Sequence, residues 1–145
     1  MLGKLIPLLL ILIGAGGGVG AGIALRPAPE EPEEQAAPVV EPDYVKLSNQ
    51  FVVPVVEHGK VASLVIMSLS LATTGGSEPV FAREPRFRDA FLSVLFAHAN
   101  TGGFRGSFTD ADNLVVLRTA LLESAKKILP SVSDVLIVDI MRQDN

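Results

Sequence analysis

The chain has 145 residues, with 12 Lys and Arg against 16 Asp and Glu and no Cys or Trp, a length that holds one ordinary domain and excludes a second full-sized core. Residues 1–43 carry Lys4 and Arg26 against six acids, whereas residues 44–145 carry ten of each sign, so no basic surface exists to displace condensed counterions and nucleic acid is not an expected partner. Without Cys there are no disulfides, thiolate nucleophiles, Cys-ligated zinc sites, iron–sulfur clusters or lipoprotein anchor. The 48% apolar content is high because it is concentrated at the start of the chain.

From Leu5 to Leu25 the chain runs 21 residues without a charge, and a helix of that length spans roughly 31 Å, about one hydrocarbon core. Two readings compete. In one, residues 1–4 are a cytoplasmic start and 5–25 a retained transmembrane helix. In the other, Met1–Lys4 is the n-region and Leu5–Ile13 the h-region of a signal peptide cleaved near Val19-Gly20-Ala21. Retention is adopted because the uncharged stretch continues through Gly22-Ile23-Ala24-Leu25, beyond any such site. Lys4 with the terminal amine against Arg26 places the N-terminus inside. Gly14, Gly18 and Gly22 repeat at four-residue spacing, which lets another helix backbone approach closely; the alternative is that glycine is simply frequent in spanning helices.

Arg26 to Asp43 holds five of the ten prolines and six of the sixteen acids, so it neither buries apolar area nor forms a regular ladder. It is read as a disordered acidic Pro-rich linker over residues 26–43, reaching at most about 55 Å. Beyond it, residues 44–145 carry the pattern of a folded domain large enough to bury a core without staples. Phe51-Val52-Val53-Pro54-Val55-Val56 is a strand in which Pro54 marks an edge or bulge, and His58-Gly59 is a turn. Val61 to Ala72 alternates, with Val61, Val65, Met67, Leu69 and Leu71 on one face, interrupted only by Ser63, and Ala62, Leu64, Ile66, Ser68 and Ser70 on the other.

Pro85 suits a first helical turn; Phe87, Phe91, Val94, Leu95 and His98 follow at helical spacing until Asn100-Thr101-Gly102-Gly103 stops the helix. Thr109-Asp110-Ala111-Asp112 offers N-cap side chains to a second helix, striped by Leu114, Leu117, Leu121, Ala125 and Ile128 and ended by Pro130. Val135 to Met141 is apolar on both faces except Asp139, which predicts a strand interior to the sheet. The order β-β-α-α-β predicts an α+β sandwich, one sheet covered by two helices.

No nucleophile, base and stabiliser occur together in a recognisable context: G-x-S-x-G, the phosphate loop and H-E-x-x-H are all absent from the sequence. His58 reads as loop polarity and His98 as a packed, hydrogen-bonded core histidine, and their separation offers no metal-ligand spacing. Neither catalytic residues, metal nor cofactor are expected. Arg83, Arg86 and Arg88 crowd the start of the first helix, where the macrodipole disfavours cations. The first reading is that they are solvated and partly neutralised by Asp89, the second that they meet acidic groups of a partner.

The segments Tyr44-Val45-Lys46-Leu47, Phe51-Val52-Val53-Pro54, Pro85-Arg86-Phe87-Arg88-Asp89-Ala90-Phe91-Leu92, Leu117-Arg118 with Leu121, and Val135 through Gln143 occur in an order that resembles the flagellar basal-body-associated FliL family, particularly its alphaproteobacterial members. The short start, spanning helix and acidic linker extend the resemblance over nearly the whole chain. It implies a single-pass protein of the bacterial inner membrane with a periplasmic domain, flagellar stator and basal-body membrane-ring proteins as partners, a fold like the stomatin/prohibitin domain, and assembly into homo-oligomeric rings. The expected function is therefore non-enzymatic support of the motor in flagellum-dependent motility. The alternative from the residues alone is a cleaved, soluble periplasmic module that binds a small ligand.

Overall fold

The computed structural model describes residues 39–145, of which Val40–Asn145 forms one unit. The expected spanning helix with Gly14, Gly18 and Gly22, and residues 26–38 of the expected linker, lie outside the described residues; Asp43, which the sequence places in the linker, instead opens the first strand because it pairs with Thr73. The elements run β1 (Asp43–Lys46), β2 (Phe51–Glu57), β3 (Lys60–Thr73), α1 (Glu78–Ala82), α2 (Glu84–Asn100), α3 (Ala111–Ile128) and β4 (Val132–Asp144). The α+β class stands as expected, and the order gains a strand, β1, and a one-turn helix, α1.

β3 is the spine of an antiparallel sheet. β2 pairs with it from Lys60 to Met67, β1 from Ser70 to Thr73, and β4 from Ser63 to Thr73. Because β4 overlaps both other pairings, β1 and β2 must share the opposite flank. They run in the same direction, separated by Leu47–Gln50, as one long flank with an excursion in it. Two residues of β3, Ser68 and Leu69, face that four-residue excursion, and Leu47 N–H still reaches Leu69 O at 3.1 Å.

The β2–β3 hairpin closes on His58 and Gly59 with φ of 51° and 76°, the pair of left-handed residues that a type I′ turn requires. Pro54 sits on a flank strand beside a register shift at Val55/Val56, where its missing N–H costs no central ladder bond. That shift also explains one departure from the alternation. Val55 pairs with Ser63 but Val56 with Val61, so the extra residue on β3 turns Val61 off the helix-facing side and leaves it 43% exposed.

α2 and α3 cover one sheet face. Phe87, Phe91, Leu95 and Ala99 of α2, and Leu117, Leu121 and Ala125 of α3, are buried at four-residue spacing against Phe51, Val53, Val65, Met67, Leu69 and Leu71. Phe91 lies 6.2 Å from Phe51 and 5.8 Å from Phe87, ring centre to ring centre, both tilted, within the range in which aromatic pairs attract. Asp110 takes the N-cap position of α3, but its side chain makes no cap hydrogen bond. α3 ends at Ile128 with Leu129 extended, as the backbone before Pro130 demands.

The expectation for the last strand is corrected. Among the described residues β4 pairs with β3 alone, which makes it an edge strand, not an interior one. Its apolar residues have different fates: Val132 and Val135 enter the core, Ile137 and Ile140 pack partly buried against it, Leu136 is half-buried, Val138 is the extra residue of a bulge between Ser68 and Leu69, and Met141 lies exposed. A run apolar on both sides arises here without strands on both flanks.

Candidate interaction surface

The first half of α3 and the middle of β4 enclose an open groove of about 610 Å³, lined by Ala111, Leu114, Val115 and Arg118 of the helix and by Leu136 through Ile140 of the strand. Side chains of a strand alternate between faces, so a groove touched by five consecutive residues runs along the strand's edge. Val115 is 58% and Val138 55% exposed. One end is closed. Arg118 donates from Nε to Val135 O at 3.2 Å and from Nη2 to Asp134 Oδ2 at 2.9 Å, and Asp134 Oδ1 accepts Val135 N–H at 2.8 Å. At the far end Arg142 donates to Phe104 O and Gly106 O, both at 3.3 Å, and stacks over Phe108 at 5.0 Å, tying β4 to the α2–α3 loop.

The three arginines at the start of α2 have separate fates. Arg88 donates to Asn49 O at 3.2 Å and Gln50 O at 3.0 Å, with its guanidinium 4.8 Å above the Phe51 ring. One turn earlier, Glu84 accepts from Ser48 N and Ser48 Oγ, each at 2.8 Å. Together Glu84 and Arg88 clamp the excursion between β1 and β2. Arg83 donates to Pro79 O at 3.2 Å. Of the three, the Arg86 side chain alone makes no hydrogen bond or ion pair among the described residues; it borders a shallow depression with Pro85, Asp89, Ala90 and Ile128. The ion pairs of the described residues join Arg105 to Glu57, Arg118 to Asp134 and Arg142 to Asp144, so Asp89 forms an ion pair with none of the three.

His98 is packed as expected but is not hydrogen-bonded at Nε2, which is buried without a partner. Its ring meets Phe104 edge-on at 4.8 Å and lies against Gly103. Burial pushes its pKa below the ordinary 6.5, and the Gly103 backbone offsets part of that. Ser63, Ser68 and Ser70 are buried pleat residues. Among the described residues no group of three His, Asp or Glu side chains is placed to hold a metal ion, and no helix is long and apolar enough to cross a membrane.

The edge groove escapes a sequence reading that assigns β4 to the sheet interior. A partial signal lay in Val115, which falls off the Leu117/Leu121/Ala125 stripe and lines the groove. Compared with known proteins, the chain matches no family model and no curated sequence.

Proposed function

We propose that this chain is a non-enzymatic, single-pass protein of the bacterial inner membrane, associated with the flagellar basal body and supporting its motor and stator units. On this reading the N-terminus is cytoplasmic, residues 5–25 are the anchor, and the α+β domain is a periplasmic interaction module of stomatin/prohibitin type that assembles with further copies of itself. The observation that carries the reading is where the family-resembling segments meet. Pro85–Leu92 supplies Arg88, which grips Asn49 and Gln50 between the segments Tyr44–Leu47 and Phe51–Pro54. Their order along the chain thus serves one structural joint. The resembling segment Val135–Gln143 forms the open edge, which offers apolar contact rather than a closed site.

Deleting the gene and scoring swimming under light and heavy viscous load tests the motor assignment. Impaired motility, restored by the full chain, is the expected result; unchanged swimming at both loads overturns it. Fractionation tests the anchor: the intact chain should remain in the inner membrane, and a soluble product cleaved near Ala21 would favour a freely diffusing module.

A further inference from the structure

We propose that the β4 edge and the groove beside it receive a short extended segment of another protein, apolar at alternate positions and carrying one Lys or Arg that meets Asp139. Three observations converge on this occupant. The first is hydrogen-bonding capacity. An edge strand turns alternate N–H and C=O groups away from its only neighbour. Those at Val135 are occupied by Arg118 and Asp134, whereas from Leu136 to Met141 no described residue other than those of β3 bonds to the backbone. A segment adding there would gain main-chain hydrogen bonds and place alternate side chains against the groove.

The second observation is the lining. Leu114 and Val115 face Leu136, Ile137, Val138 and Ile140 across the groove, so apolar side chains of the incoming segment would displace water from apolar surface. The third is charge. Asp139 lines the same groove, is exposed, and has no ion-pair or hydrogen-bond partner among the described residues. Arg118, the cation of the lining, is already committed to Asp134. The unmet charge is therefore negative, and the segment that fits it carries a positive one.

A second copy of β4 fits less well. Antiparallel pairing about a two-fold axis near Val138 would bring two Asp139 carboxylates together, and the Val138 bulge interrupts a long flat match. A short segment avoids both. The inference rests on the interaction-module part of the reading above and not on its flagellar part; peptide binding and swimming are scored separately, so either can fail alone.

The test uses the full chain in lipid nanodiscs and blocked eight-residue peptides of alternating Val and Thr with Lys, Glu or Ser at one central position, read by amide hydrogen exchange. The Lys peptide should slow exchange at Leu136–Met141 about fivefold, leave β2 on the opposite flank unaffected, and bind about tenfold more tightly than the Glu peptide. Asp139→Lys should reverse that preference and Asp139→Asn should abolish it. The proposal is overturned by the absence of slowing at millimolar Lys peptide, by equal slowing on β2, or by a preference that both variants leave unchanged. Protection of the same amides that grows with protein concentration in the absence of peptide would make a second copy the occupant and also overturn it.

Discussion

At Gly103 a single hydrogen atom decides whether the α2–α3 corner closes. A Cβ there would overlap His98 Nε2 and two further atoms of the ring, which also meets Phe104 edge-on. Gly103→Ala should therefore destabilise the domain by about 1–3 kcal/mol, the usual cost of overpacking, measured by urea unfolding. His98 also gives stability a pH dependence. In the unfolded chain its imidazole binds a proton near the ordinary 6.5; in the folded chain burial lowers that value. The unfolded state thus takes up the proton first as pH falls, so this contribution is fully present above about 6.5 and declines below it. Denaturation midpoints should fall between pH 7 and pH 5, and His98→Gln should flatten that part of the profile. The arginines separate at this scale too. Arg86→Glu should leave stability within about 0.5 kcal/mol of the parent, as for an exposed side chain away from special contacts, so any loss of swimming it causes reports a partner. Arg88→Glu would set a carboxylate against the Asn49 and Gln50 carbonyls and should destabilise the fold, which makes it unfit for that experiment.

Among the elements, β1 is the one most dependent on others. Four residues pair along one side only, Val45 is its buried side chain, and the excursion after it is held by Ser48–Glu84 and by Arg88. Glu84→Gln keeps the shape but weakens two hydrogen bonds to a charged acceptor, each worth about 1.5–3 kcal/mol before solvent exposure discounts it. Hydrogen exchange should quicken at Asp43–Leu47 while the β2–β3 pairing keeps its protection; equal acceleration in both would show that β1 opens only with the whole sheet. The same dependence explains why β1 escaped the sequence. Tyr44-Val45-Lys46 is too short for a period, and its partner lies 24 or more residues away at Ser70–Thr73. The long alternation of β3, the Phe87/Phe91/Leu95 stripe and the His58-Gly59 turn were legible because each is a local pattern. α1 had a usable signal in Ser77-Glu78-Pro79, with Pro79 in its first turn. Whether β4 stood inside the sheet or at its edge was not legible, because composition reports how apolar a strand is and not what covers it. With that position misread, the groove was missed as well.

For the whole domain, the two faces of the sheet are unequal. The helix side is closed, with Phe51, Phe87, Phe91, Leu69 and Leu121 fully buried, while Val52, Val56 and Met141 remain about half exposed. A two-layer unit of this kind is stable when its one core is complete without contributions from elsewhere in the chain. Among the described residues the buried cluster runs from Val45 to Val135, and the first with a ladder partner is Asp43. A fragment beginning at Val40 should therefore unfold cooperatively, with a single thermal transition that coincides by far-ultraviolet circular dichroism and by calorimetry. Beginning instead at Phe51 removes β1 and the buried Val45 and Leu47, and loses the serine that Glu84 holds. That shorter fragment should melt several degrees lower or fail to fold, since two buried aliphatic side chains and a strand pairing are a large fraction of the few kcal/mol by which a domain is stable. Equal melting temperatures for the two fragments would show that β1 belongs to the tether and not to the domain.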